Sequence, residues 1–131
     1  MKNCLEMNLR ARKLVAKRDF VEAEKLARKN LKISKNPINY YTLALTLATY
    51  GFLQNKDSKK QQAQKYYREI IKKFPGTMHA HLAEARIREE NYKLKYAIPF
   101  YRKAFKSCPT PLNALHIKNA RKQLKKSAPK R

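Results

Sequence analysis

Three histidines, two cysteines and nine carboxylates are the groups in this 131-residue chain with chemistry to offer beyond charge. Their spacing scatters them. His79 and His81 are two apart, so on a helix they point to different sides and do not share a metal. His116 stands alone. Cys4 and Cys108 form no CxxC pair. They supply neither a disulfide framework nor the clustered ligands of zinc, and read as free thiols in a reducing cytoplasm. Glu89-Glu90 sits beside a turn and reads as solvated. No Ser–His–Asp or Cys–His–Asp order pairs a nucleophile with a base. Two glycines leave no glycine-rich loop to cradle a phosphate or dinucleotide. The expectation is a protein with no enzyme activity, no metal and no cofactor.

The abundant chemistry is positive charge. Lys and Arg number 32 against 9 Asp and Glu, a formal net charge of +23. Residues 91–131 hold 12 Lys+Arg and no acid. A field of this sign draws acidic partners and speeds encounter with them. Lys118, Arg121, Lys122, Lys125 and Lys126 form a basic patch, with Lys130 and Arg131 behind it. Three readings stay open: nucleic acid or ribosome, where phosphate contacts release counterions; an acidic protein; or a solvated face that only keeps the chain soluble. No zinc-finger or aromatic RNA-binding motif accompanies the patch.

The elements that must position these residues are helices. The length suits one domain of ~100–150 residues, and 43% hydrophobic residues suffice for a core. Two glycines argue against a turn-rich β fold. Turn signals and periods of three and four mark helices over 3–16, 20–34, 37–53, 59–73, 78–90, 95–107 and 111–126. Asp19 with Glu22 has the form of a capping box. Asn36 reads as an N-cap with Pro37 at the first helical position. Thr77 and Thr110 precede two further starts, and Pro99 places the sixth helix's start at about Lys95. Leu5, Leu9, Leu14 and Val15 mark the core side of the first helix, and Leu112, Leu115, Ala120 and Leu124 that of the last. The stretch 36–55 carries no charge but too many polar groups for a membrane span of ~20 residues, so it is expected to be buried. The N-terminus lacks the apolar run, roughly 7–15 residues long, of a signal peptide. The expected location is cytoplasmic, without membrane insertion.

A repeat runs through these helices. Ala63, Tyr67, Ile70 and Pro75 recur 34 residues later as Ala97, Tyr101, Ala104 and Pro109. A small residue lets helices approach, an aromatic one turn on fills the gap beside it, and proline ends the unit. Ala23 and Ala27 echo this pattern earlier. In first helices, Tyr40-x-x-Leu43-Ala44-x-x-Leu47 and His79-x-x-Leu82-Ala83 place a ring, then Leu and a small residue. On these residues the chain resembles the tetratricopeptide repeat (TPR) family. The resemblance implies an all-α, right-handed α-α superhelix of about three helix–turn–helix repeats (about 3–35, 36–75 and 76–109). A capping helix at 110–126 completes the single domain 1–126, and a frayed basic tail follows at 127–131. Arg86 stands where the family has an aromatic, and the third unit needs two extra residues around Lys93-Leu94.

The resemblance also implies a concave face lined by the first helices, which binds protein segments. Its candidate positions are Asn8 and Arg12; Tyr41, Leu45, Ala48 and Thr49; and Ala80, Glu84, Ile87 and Arg88. Tyr41 and Leu45 either form an open apolar floor or are covered by neighbouring helices. The leading expectation is a non-catalytic adaptor for an acidic protein partner. The alternative is a nucleic-acid- or ribosome-associated protein, and self-association into a homo-oligomer is the third.

Overall fold

The computed structural model describes residues 4–91 and 94–127, with side chains within 8–89 and 94–125. Among them are seven α-helices, one 3₁₀ turn and no strand. The helices are α1 (Cys4–Ala16), α2 (Phe20–Ile33), α3 (Pro37–Leu53), α4 (Asp57–Lys73), α5 (Met78–Asn91), α6 (Ile98–Ser107) and α7 (Pro111–Ser127), with the 3₁₀ turn at Leu94–Tyr96. Their order follows the seven expected segments. None is long and apolar enough to cross a membrane. The chain divides into two compact units, Met1–Ile70 and Ile71–Arg131, and consecutive helices pack together within each.

In the first unit α1 packs on α2 and α3, and α2 on α3. The uncharged helix α3 is buried along most of its length: Tyr40, Tyr41, Leu43, Ala44, Leu47 and Ala48 all lie in the core. That explains its composition, because a helix with neighbours on several sides has no face to give to charge. Asn36 caps α3 through its side chain, which accepts from the Asn39 N–H at 2.8 Å, and Pro37 follows where its missing N–H costs nothing. Gly51 marks where α3 runs into the next turn. A Cβ there would lie 2.7 Å from Lys60 Cγ and 2.8 Å from Lys60 N, so glycine is required by close approach of backbone.

The capping box at Asp19 does not form. Asp19 holds the N-cap position, but its backbone (φ −90°, ψ 70°) leaves the extended region that aims a cap side chain, and no side-chain cap bond is made. The core side of α1 also differs from expectation. Leu9 is half exposed, whereas Asn8 and Ala11 are buried. Helix α4 starts at Asp57, two residues before the expected start, because the Lys56 carbonyl accepts from both Lys59 and Lys60 N–H at 3.1 and 3.2 Å.

In the second unit α5 packs on α6, α6 on α7, and the 3₁₀ turn touches all three. Thr77 caps α5, accepting from the Ala80 N–H at 3.2 Å, and Thr110 caps α7, accepting from Asn113 at the same distance. Helix α6 begins at Ile98 rather than near Lys95. Pro99 has no N–H for an i−4 bond to Lys95, so the chain closes a tighter i−3 bond, Ala97 N–H to Leu94 O at 2.9 Å, before the α-helix proper starts. Helix α5 continues to Asn91, one residue beyond the expected end at 90; Tyr92 and Lys93 lie outside the described residues. On α7 Ala120 is buried as expected, but the rest of its core side is corrected: Asn113 is buried, while Leu112 and Leu115 are exposed.

Helices α2, α4 and α6 bury the same register. Ala23, Ala27 and Asn30 on α2, Ala63, Tyr67 and Ile70 on α4, and Ala97 at the N-cap of α6 with Tyr101 and Ala104 on it are all shut off from solvent. Each set follows steps of four and three.

Candidate functional site

A second correspondence, at an offset of 74 residues, joins α2–α3 to α6–α7. Ile33 and Ser107 end their helices; Ser34 and Cys108 are extended C-caps whose N–H groups bond back to Asn30 O at 3.1 Å and Ala104 O at 2.9 Å. Asn36 and Thr110 are N-caps, and Pro37 and Pro111 start helices of 17 residues each. Asn39 and Asn113 then close both corners in the same way. Asn39 Nδ2 donates to Ser34 O at 2.7 Å, and Asn113 Nδ2 to Cys108 O at 2.8 Å. Sequence reasoning missed this corner. Its signal was a cap followed by Pro, an apolar residue and Asn, at 36–39 and again at 110–113.

Beyond the corner the two regions diverge. In the first unit Asn39 belongs to a buried trio. Asn8 Nδ2 donates to Asn39 Oδ1 at 2.9 Å, and Asn30 Nδ2 donates to Asn8 Oδ1 at 2.9 Å and Asn39 Oδ1 at 3.1 Å. Such a network fixes the register of α1, α2 and α3, since a slip strands amides in the core. Asn8, expected on a binding face, therefore holds structure together.

The N-terminal part of α4 then closes over α2 and α3. Tyr66 lies 6.3 Å from Tyr40 and Tyr67 lies 6.1 Å from Tyr41, ring centre to ring centre. Arg28 on α2 donates to Glu24 Oε2 at 2.8 Å, to Gln62 Oε1 at 2.8 Å and to Tyr66 Oη at 3.2 Å, while Lys59 Nζ donates to Glu24 Oε1 at 2.8 Å. Burial pushes the Glu24 carboxyl up, but the hydrogen bonds and charges of Lys59 and Arg28 outweigh this and hold it below its usual range. Tyr41, with 3% of its surface exposed, is thus covered by a neighbouring helix. Ala48 is buried as well; Leu45 and Thr49 are half-buried, and Thr49 Oγ1 donates to Leu45 O at 2.9 Å. Arg12 is half-buried on α1. In the second unit Ala80 and Ile87 are buried, and Glu84 pairs with Arg88 at 3.7 Å.

At the matching place on α6–α7 the surface is open. Phe105, Ala114 and Ile117 floor a groove of about 320 Å³ whose remaining wall is Lys118 and Arg121. At the 74-residue offset these five correspond to Leu31, Tyr40, Leu43, Ala44 and Leu47. Leu115, the counterpart of Tyr41, is 46% exposed. Arg102 is the counterpart of Arg28, but Ile98 stands where Glu24 would neutralise it. Arg102, Lys103, Lys106, Lys118, Arg121, Lys122 and Lys125 are all exposed, and none forms an ion pair among the described residues. The side chain of Lys126 and residues 128–131 lie outside them. Lys103 lies 4.9 Å over the Phe100 ring. Burial first, and then the Lys103 charge, push the pKa of His81 down. His116 stacks on Tyr101 at 5.4 Å, as a packing residue does. Among the described residues no three His, Cys, Asp or Glu side chains gather as metal ligands.

In comparisons with known proteins, the chain matches no family model and no curated sequence.

Proposed function

We propose that this chain is a non-catalytic, TPR-like helical-repeat adaptor that binds an acidic segment of a protein partner. The matched buried triplets of α2, α4 and α6 support the repeat reading, because stacked helix pairs bury one register again and again. The single observation that carries the partner's chemistry is the set of seven exposed cations on α6 and α7, none in an ion pair among the described residues, together with an apolar-floored groove. A chain without one acid from residue 91 onward cannot neutralise them from its own C-terminal region. Apolar floor with cationic wall suits a segment that carries both carboxylates and apolar side chains.

The test is capture of partners from nuclease-treated extract by the full chain and by a Lys118→Glu, Arg121→Glu, Lys122→Glu variant. A protein retained after nuclease treatment and lost with the variant is the expected result. Loss of all capture on nuclease treatment overturns it in favour of the second reading, a nucleic-acid-binding protein. That reading draws on the same cations and on Tyr96, half exposed with Lys95 Nζ 5.3 Å over its ring. It expects affinity for RNA to fall steeply and linearly on a log–log plot against salt.

A further inference from the structure

From the internal correspondence we infer that the α6–α7 groove is a seat for an acidic amphipathic helix of a partner chain, taken in the way α2–α3 takes α4. The inference rests on the acidic-partner reading and names its site and the form of the ligand.

The seat is built in the first unit and repeated in the second. Over α2–α3 the occupant is α4, which sets Tyr66 and Tyr67 against Tyr40 and Tyr41 and brings Gln62 and Tyr66 to Arg28. Over α6–α7 the corner geometry is the same, with matching caps, the same Asn-to-carbonyl bond and helices of equal length. The groove between Phe105 and Ile117 lies where the occupant's apolar side chains belong. Leu115 stands open where Tyr41 is covered.

Charge selects the occupant. Ala44, Leu47 and Ala48, all buried in the first unit, are replaced by Lys118, Arg121 and Lys122 at the same offset. Arg28 has its carboxylate four residues back on its own helix, whereas Arg102 has Ile98 there. Among the described residues the second seat therefore lacks the negative charge that the first one holds internally, and a ligand has to bring it. Helix α4 of a second copy fits poorly, since it carries Lys59, Lys60, Lys65, Arg68, Lys72 and Lys73 against Asp57 and Glu69. Acidic residues flanking a pair of apolar or aromatic anchors at helical spacing meet every feature of the seat.

The experiment uses the full chain and two fluorescent peptides. One is the α4 sequence, residues 57–73. The other is the same sequence with Lys59→Glu, Lys60→Glu, Lys65→Glu and Lys72→Glu, which keeps the anchors and reverses the charge. Anisotropy titration is expected to show saturable binding of the acidic peptide, at least tenfold tighter than the α4 sequence. Leu115→Asp and Arg102→Glu, both at exposed positions, each weaken it tenfold or more, while Lys17→Glu on the first unit changes it less than twofold. Equal or tighter binding of the α4 sequence overturns the acidic occupant in favour of a second copy of the chain. Binding weakened by Arg102→Glu but untouched by Leu115→Asp overturns the groove and leaves a general attraction for acidic segments. Failure of both peptides to bind overturns the seat. A partner captured from nuclease-treated extract would then still support the acidic-partner reading, so the two fail separately.

Discussion

Two corners of the molecule share one backbone solution and have opposite surfaces. At 34–39 and at 108–113 an extended C-cap, a polar N-cap, a proline and an asparagine turn one helix into the next. Past the asparagine the two part ways. Helix α3 is uncharged and shut in; α7 carries cations at the same positions and stays open. The difference teaches that the corner sets helix geometry, while the side chains one and two turns further on decide whether another helix seats there.

The sharpest way to break the parallel is at its covered and open ends. Tyr41→Ala should cost about 3–5 kcal/mol in urea unfolding followed by circular dichroism, the range for emptying a buried aromatic site. Leu115→Ala, at the matching but exposed position, should stay within about 0.5 kcal/mol. Equal costs would mean that the α7 face is covered too. Next come the corner asparagines. Asn39→Ala leaves amides of Asn8 and Asn30 and the Ser34 carbonyl short of partners, at about 2–4 kcal/mol. Asn113→Ala gives up the bonds to Cys108 O and the Met78 sulfur, at about 1–2 kcal/mol. A larger loss at Asn113 would reverse the ranking of the two corners.

The smallest effect concerns Glu24. Its carboxyl is held below 4.5 in the folded chain, so its contribution to stability is present above that value and fades as pH falls through the folded value. Glu24→Gln should flatten this acid limb of the stability–pH curve. Ile98→Glu, which gives Arg102 the carboxylate it lacks, should add one of the same sign. A pH profile unchanged by either substitution would remove the electrostatic contrast between the two seats.

Much of the fold was legible in the chain. Asn36-Pro37, Thr77 and Thr110 announce helix starts because a side-chain oxygen meets the free N–H groups there, a purely local event. The steps Ala63–Tyr67–Ile70 and Ala97–Tyr101–Ala104 mark faces that are buried, since helical periodicity survives in sequence. Asp19 misled because capping needs an extended backbone as well as a carboxylate. The candidate site was half legible. Lys118, Arg121 and Lys122 stood out by charge, but the groove that Lys118 and Arg121 wall required Phe105 from another helix.

The sequence by itself determined the seven helices, most of their limits and the excess of positive charge, because caps, prolines and charges act within a few residues or need no neighbours at all. Only the tertiary structure decided that Tyr41 is covered and Leu115 is open, that Asn8, Asn30 and Asn39 meet, and that Arg28 is ion-paired while Arg102, among the described residues, is not. Burial and pairing are properties of residues brought together from distant parts of the chain, and no local pattern records which helix arrives to cover a face.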